Sequence, residues 1–161
     1  MGPRSDINWL GDGLSRAGGL EVRARETAGL RVTKTKSTIF IVEDDASVLR
    51  ALRRLLTSAG FEVRSFQRPA SLLASDLPAA NACLILDVYL PEMSGVDLYE
   101  SLAASGCKLP VVMITGHDDE RTRAMINRID AAAVLVKPYA REAMLGEIHK
   151  ALAASKPEVP T

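Results

Sequence analysis

The amino-acid sequence predicts an α/β fold in which five parallel strands form one doubly wound sheet of order 2-1-3-4-5, with helices on both faces. Three observations support this prediction. Short apolar runs recur along the chain, segments with helical spacing of apolar residues lie between them, and four of the runs end in a polar residue. Strands that alternate with helices are joined by right-handed crossovers, which gives a parallel sheet.

The strands are predicted from their composition. Residues 38–43 and 83–87 are continuous apolar runs that end in acids, which is typical of strands buried on both faces of a parallel sheet. Residues 61–66 alternate between apolar and polar side chains, as expected of a half-exposed edge strand. Residues 110–115 and 132–136 are small and apolar, so we expect both of these strands to be interior or shielded.

Five helices are predicted between and after these strands, over residues 48–59, 69–74, 95–104, 118–128 and 140–154. The first has one apolar stripe and ends before Gly60, and the short second helix opens with Pro69. The third points Leu98 and Leu102 inward, whereas the fourth is rich in arginine and has a narrow apolar side. In the last helix we expect the inward positions to be Leu145, Ile148 and Leu152.

Length and composition restrict the organisation of the chain. We expect residues 38–154 to form one domain, residues 1–37 to be a disordered extension and residues 155–161 to be a short tail. Seven basic and four acidic residues precede Ser37, and 13 basic and 16 acidic residues follow, so we expect no nucleic-acid binding by the domain. Two cysteines and the absence of a long apolar run predict a cytoplasmic protein with no membrane span.

The polar strand ends form a predicted site. Four of the five predicted strands end in polar residues that could act together, namely Glu43-Asp44-Asp45, Asp87, Thr115 and Lys137. The first and third strands flank the switch point of such a sheet, so we expect their carboxylates to meet there. Clustered carboxylates repel one another unless a cation binds, and an all-oxygen site suits Mg²⁺. The threonine hydroxyl and the lysine ammonium would hold oxygens of a phosphoryl group accepted by Asp87.

The same residues lie in motifs that resemble those of the receiver domain of two-component response regulators. The likeness covers residues 38–154 and is carried by Ile-Val-Glu43-Asp44, Leu-Asp87-Val-Tyr-Leu-Pro91-Glu-Met-Ser-Gly95, Ile-Thr115-Gly116-His117 and Lys137-Pro138. The loops resemble receivers of the nitrogen-fixation and nitrate class, which usually carry a C-terminal helix-turn-helix of the LuxR type. The resemblance implies a flavodoxin-like fold in which a histidine kinase or a histidine phosphotransfer protein phosphorylates Asp87.

The resemblance also implies a ligand set for Mg²⁺. This set consists of Glu43, Asp44, Asp87 and the backbone carbonyl of Tyr89. Asp44 would bind the metal directly, whereas Glu43 would act more through water. Asp45 falls one place past the acidic pair of the family, and we expect it to cap the first helix. The Lys137–Pro138 bond is predicted to be cis, in a turn that aims the lysine into the site.

The sequence departs from the family pattern in the fifth strand. The family usually has an aromatic switch residue three positions before the lysine, and this position is Val134 here. Valine has no ring to swing, so the usual coupling to Thr115 is not expected. Tyr139 is expected in the core, and Asp130 replaces the glycine that usually starts this strand.

Two further positions resemble sites that control attacking water in the family. They are Tyr89 and His117, which lie two residues past Asp87 and Thr115 and are candidate modulators of the phosphoryl lifetime. We expect the fourth helix, fifth strand and fifth helix to form the surface that reports phosphorylation. The same surface is a candidate for homodimer formation.

The leading hypothesis is a stand-alone phosphoacceptor that signals by protein–protein contact and is not an enzyme. No segment long enough for a second domain follows residue 154, so we expect no DNA-binding output. One alternative is a binding module that ignores phosphorylation and binds its partner equally well with Asp87→Ala. Another is an aspartyl-phosphate hydrolase, but such a site would place a second acid where Tyr89 lies.

Overall fold

The apolar runs form the strands of one parallel sheet in the computed structural model, which describes residues 35–155. The strands are β1 (Thr38–Val42), β2 (Glu62–Phe66), β3 (Ala82–Asp87), β4 (Val111–Thr115) and β5 (Ala133–Val136). Their order is β2-β1-β3-β4-β5, and each neighbouring pair is parallel. The predicted fold class is therefore confirmed. The extension expected before residue 38 and the tail expected after residue 154 lie almost entirely outside the described residues.

Each helix begins and ends within two residues of its predicted bounds. The helices are α1 (Ala46–Ser58), α2 (Pro69–Leu73), α3 (Gly95–Ala104), α4 (Glu120–Ile126) and α5 (Arg141–Ala154). The Asp45 side chain accepts the N–H groups of Ser47 and Val48, which confirms the predicted N-cap of α1. The helix α4 is shorter than the predicted 118–128 at both ends. Asp119 caps its start by accepting the N–H of Thr122, and Asn127 is its C-cap.

The two faces of the sheet are both covered, which explains why the central strands are continuously apolar. Every residue of β3 is buried, and successive side chains enter opposite layers. Phe40 and Leu84 lie in the layer that contains α2, α3 and α4. Ile41 and Ile85 lie in the layer that contains α1 and α5. The outer strand β2 is half-exposed, as its alternating sequence predicts.

The prediction that the fifth strand is interior or shielded is wrong. Within the described residues 35–155, β5 pairs only with β4 and is the second edge strand of the sheet. Its residues alternate between half-buried and exposed, and Val134 and Val136 remain 42% and 39% exposed. The predicted order 2-1-3-4-5 itself places this strand at an edge. Small apolar side chains are compatible with both positions, so composition alone did not distinguish them.

The inward face of α5 also differs from the prediction. Ile148 is buried as expected, but Met144 and Ala151 are the other buried residues of this helix. Leu145 and Leu152 are half-buried beside them and still contact the same hydrophobic layer. The helix is therefore rotated so that Met144 faces the sheet and the two leucines lie at its sides.

Candidate functional site

The register of the sheet brings the acidic strand ends together. Val42 of β1 pairs with Leu86 of β3, so Glu43 follows level with Asp87. On the other side, Asp87 pairs with Ile114 of β4, and Thr115 follows it. The carboxyl ends of β1, β3 and β4 thus lie side by side at the carboxyl end of the sheet, where ligands bind in open α/β folds.

Three carboxylates form a compact cluster at the carboxyl end of the sheet. Glu43, Asp44 and Asp87 each offer one oxygen, and these oxygens all lie within 4.8 Å of one another. Glu43 and Asp87 are buried, whereas Asp44 is exposed to solvent. An all-carboxylate set that opens to water on one side suits a small hard cation such as Mg²⁺. Asp45 does not belong to this cluster, because its side chain caps α1.

Lys137 bridges two of these carboxylates. Its Nζ donates to Glu43 Oε1 at 2.9 Å and to Asp87 Oδ2 at 3.0 Å. Desolvation lowers the pKa of the Lys137 ammonium, but the hydrogen bonds to the two carboxylates outweigh it and the pKa is raised. The Lys137–Pro138 bond is cis, as predicted, and the backbone N–H of Lys137 donates to the Thr115 carbonyl at 2.8 Å.

The loop after β3 folds tightly over the end of that strand. The backbone N–H of Tyr89 donates to Asp87 Oδ1 at 3.0 Å, so both carboxylate oxygens of Asp87 have a donor. Gly95 returns to the strand and donates its N–H to the Val88 carbonyl at 2.8 Å. A Cβ at Gly95 would lie 2.1 Å from the backbone oxygen of Asp87, so only glycine fits there without rearrangement. The sequence motif includes Gly95, but the sequence did not predict this close approach.

The Thr115 hydroxyl is held by its own loop. It is buried at the end of β4, where Oγ1 accepts the N–H of His117 at 3.0 Å. The same hydroxyl donates to the His117 carbonyl at 3.2 Å. Thr115 therefore lies beside Asp87 in the sheet, while its hydroxyl proton is bound to the loop that precedes α4.

Tyr89 and His117, which lie two residues past Asp87 and Thr115, are in contact with each other. Their rings meet edge to face, with centroids 4.8 Å apart. The Tyr89 hydroxyl lies 2.6 Å from Oγ1 of Thr122, a residue that is only 1% exposed in the first turn of α4. Thr122 was missed at the sequence level. A signal was present, because Thr122 lies three and four residues before Met125 and Ile126 and so shares the narrow apolar face of α4.

The switch position on β5 carries a valine in place of an aromatic residue. Val134 pairs with Met113 and is partly exposed on the edge strand of the sheet. Tyr139 is half-buried against the layer of α1 and α5, in partial agreement with the expected core position. Burial raises the pKa of the Tyr139 hydroxyl.

Comparison with known proteins agrees with this geometry. Residues 39–149 match the family model for the response regulator receiver domain. The response regulator protein TmoT of Ectopseudomonas mendocina is 39% identical over 117 residues, which are 73% of this chain and 53% of that protein. The transcriptional regulatory protein TdiR of Thauera aromatica is 33% identical over 129 residues, or 79% of this chain and 57% of that protein. The chain thus spans about half the length of these curated relatives.

Solved structures are similar over the same region. The amino-terminal part of FixJ superposes with a TM-score of 0.70 at 28% identity. The match covers 78% of this chain and 100% of that chain. The response regulator StyR gives a TM-score of 0.66 at 38% identity, covering 75% of this chain and 61% of that one. Within residues 35–155, no helix is long and apolar enough to cross a membrane. By its motifs, its sheet and these matches, the chain belongs to the response regulator receiver domain family.

Proposed function

We propose that this chain is the phosphoacceptor of a two-component phosphorelay. In this proposal a histidine kinase or a histidine phosphotransfer protein phosphorylates Asp87, and the phosphorylated chain signals through protein–protein contacts. The observation that carries the proposal is the contact of Lys137 with both Asp87 and Glu43, at 3.0 and 2.9 Å. It sets a cation beside the carboxylate at which the negative charge of a transferring phosphoryl group would develop.

The proposed reaction is a displacement at phosphorus. A carboxylate oxygen of Asp87 attacks the phosphorus of phosphohistidine, the P–N bond breaks, and the imidazole leaves with its electron pair and takes up a proton. An aspartyl phosphate results. The Tyr89 N–H and the Lys137 ammonium orient the two carboxylate oxygens before attack. Lys137 then contacts the phosphoryl group, and the Thr115 hydroxyl turns from the His117 carbonyl to donate to a phosphoryl oxygen.

The donor set fits Mg²⁺, and we propose Glu43, Asp44, Asp87 and the Tyr89 carbonyl as its site. Bound Mg²⁺ neutralises negative charge on the phosphoryl group and the carboxylates. Asp44 is suited to direct contact because its side chain is exposed. Glu43 is suited to a role through water because its oxygens already accept from Lys137 and from the N–H of Asp45.

The competing hypotheses have less support. An aspartyl-phosphate hydrolase would use a second acid at the position of Tyr89, whose hydroxyl is hydrogen-bonded to Thr122 instead. We therefore propose a signalling module that does not turn over a substrate. Val134 favours a module that ignores phosphorylation, because it offers no ring to report on the site. The presence of Glu43, Asp44 and Asp87 together with Lys137 argues against a module that ignores phosphorylation.

The partners follow from the same proposal. We propose that the chain meets its kinase or phosphotransfer protein in the cytoplasm, where the free thiols of Cys83 and Cys107 persist. The surface formed by α4, β5 and α5 would report phosphorylation and would also serve for homodimer formation. The relative TdiR is named a transcriptional regulatory protein, but the receiver itself is not proposed to contact DNA. Tyr89 and His117, whose rings contact each other after β3 and β4, would modulate the lifetime of the aspartyl phosphate.

Phosphorylation of Asp87 is tested by incubating the chain with Mg²⁺ and acetyl phosphate. Intact-mass measurement should show one added phosphoryl group that is removed by hydroxylamine. Asp87→Asn should not be labelled, because an amide is a poor nucleophile for phosphorus. Asp45→Asn is a matched control on the neighbouring strand end and should be labelled normally. Persistent labelling of Asp87→Asn at another residue would show that the assignment is wrong.

A further inference from the structure

Tyr89 connects the proposed phosphoacceptor to α4. Its backbone N–H donates to Asp87 Oδ1 at 3.0 Å, and its hydroxyl lies 2.6 Å from Oγ1 of Thr122. Thr122 is buried, so its hydroxyl has lost most contact with water and depends on partners within the protein. The Thr122 hydroxyl also lies within reach of the Asp119 carboxylate that caps α4, so the Tyr89 hydroxyl joins the capped first turn of this helix to the loop after β3. Loss of a hydrogen bond inside the protein is unfavourable, and the Tyr89–Thr122 contact therefore helps to determine where α4 lies.

A second set of contacts joins Thr115 to the same tyrosine. The Thr115 hydroxyl donates its proton to the His117 carbonyl and accepts the His117 N–H. The ring of His117 in turn packs edge to face against the ring of Tyr89. A continuous series of contacts thus runs from Thr115 through His117 and Tyr89 to Thr122 in α4.

From these contacts we propose that the Tyr89–Thr122 hydrogen bond is a latch that holds α4 in its unphosphorylated position. Phosphorylation of Asp87 releases the latch. The inference rests on the proposed function, since it requires a phosphoryl group at Asp87. Thr122 is a positioning residue in this scheme, because it acts on the site only through Tyr89.

The direction of the effect follows from the single proton of the Thr115 hydroxyl. This proton cannot be donated to the His117 carbonyl and to a phosphoryl oxygen at the same time. When Thr115 turns toward the phosphoryl group, the loop that carries His117 loses one of its two hydrogen bonds to that hydroxyl. The His117 ring moves with its loop, Tyr89 follows, and the contact with Thr122 breaks. The latch supplies a coupling that Val134 on β5 cannot provide.

The test uses the full chain, Mg²⁺ and beryllofluoride as the phosphoryl mimic. Tyr89→Phe and Thr122→Val each remove one hydroxyl while preserving shape. If the latch holds the unphosphorylated state, its loss favours the other state, and by linkage beryllofluoride binds about two- to tenfold more tightly. Amides of α4 should exchange faster by a similar factor before the mimic is added. The double variant should bind no more tightly than either single variant.

Two variants separate the latch from general loosening of the fold. Thr122→Ser retains the hydroxyl and should restore the affinity of the native chain. Tyr99→Phe removes a tyrosine hydroxyl that donates to the Leu109 carbonyl away from the site, and should leave the affinity unchanged. Unchanged or weaker binding in Tyr89→Phe and Thr122→Val, or an equal gain in Tyr99→Phe, would overturn the latch. A native chain that neither binds beryllofluoride nor is labelled at Asp87 would overturn the proposed function itself.

Discussion

Asp44 and Asp45 are adjacent acids that the fold separates into different roles. Asp44 contributes an oxygen to the carboxylate cluster, whereas Asp45 accepts two N–H groups at the start of α1. We expect Asp44→Asn to weaken Mg²⁺ binding by about tenfold or more, as loss of a direct ligand should. Asp45→Asn should have a much smaller effect, because asparagine is also a good N-cap. Calorimetric titration with Mg²⁺ compares the two variants, and equal losses would mean that the proposed acidic pair is displaced by one residue.

We expect the two cysteines to differ in reactivity because only Cys83 is buried. Burial raises the pKa of the Cys83 thiol to about 12, while Cys107 is partly exposed near the end of α3. The thiolate is the reactive form, so at pH 8 we expect Ellman's reagent to modify Cys107 rapidly and Cys83 only as fast as the chain unfolds. Cys107→Ser should abolish the rapid phase. Two rapid thiols in the native chain would contradict the buried position of Cys83.

The raised pKa of Cys83 also affects stability. The folded chain keeps this thiol neutral at a pH where the unfolded chain ionises it, at and above its ordinary pKa of 9.0. The contribution of Cys83 is therefore fully present below pH 9 and is lost as the pH rises toward 12.

At the scale of elements, the connection from β3 to α3 depends on one close backbone approach. Gly95→Ala would bring a Cβ within 2.1 Å of the Asp87 backbone oxygen, so this loop must shift away from the strand. We expect the free energy of unfolding to fall by roughly 1–3 kcal/mol. Urea denaturation gives the value, and Gly146→Ala in α5 is the matched control because no atom lies within 4 Å of its Cβ position. Similar losses in both variants would argue against a specific effect of Gly95.

The short helix α4 is the least firmly held of the elements near the site. Only Thr122 and Ile126 are buried among its seven residues. Arg123 and Arg128 form ion pairs beside it, with Asp118 and with Asp97 and Glu100, but all these side chains are exposed. Exposed pairs contribute little to stability, so α4 is the element that a change at Asp87 moves most easily.

At the scale of the whole molecule, we expect the buried sheet to stay fixed on phosphorylation and the surface loops at its carboxyl end to move. β1, β3 and β4 are buried between two hydrophobic layers, whereas the loop from Thr115 to α4 lies at the surface. We expect beryllofluoride with Mg²⁺ to change amide exchange chiefly between Thr115 and Arg128, with little change in the central strands. Mass spectrometry of exchanged peptides measures this, and Asp87→Asn should show no response. Unchanged amide exchange between Thr115 and Arg128, with a large change elsewhere, would contradict the proposal that α4 moves on phosphorylation.

Much of this protein was predictable from its sequence because the relevant signals are local. The continuous apolar run before Asp87 reflects a strand buried on both faces, and Asp45 precedes its helix at the spacing that capping requires. The order of the strands follows from the βα repeat and the resemblance. The positions of Glu43 and Lys137 at strand ends were therefore visible before any tertiary contact was known.

Other features depended on contacts between segments that are distant in the chain. The burial of Met144 follows from the rotation of α5 against the sheet, and the need for Gly95 follows from its approach to Asp87. The contact between Tyr89 and Thr122 joins residues 33 positions apart. Periodicity and composition describe one segment at a time. Only the packed tertiary structure decides which side chains meet across segments, because register, helix rotation and rotamers are set by the packing itself.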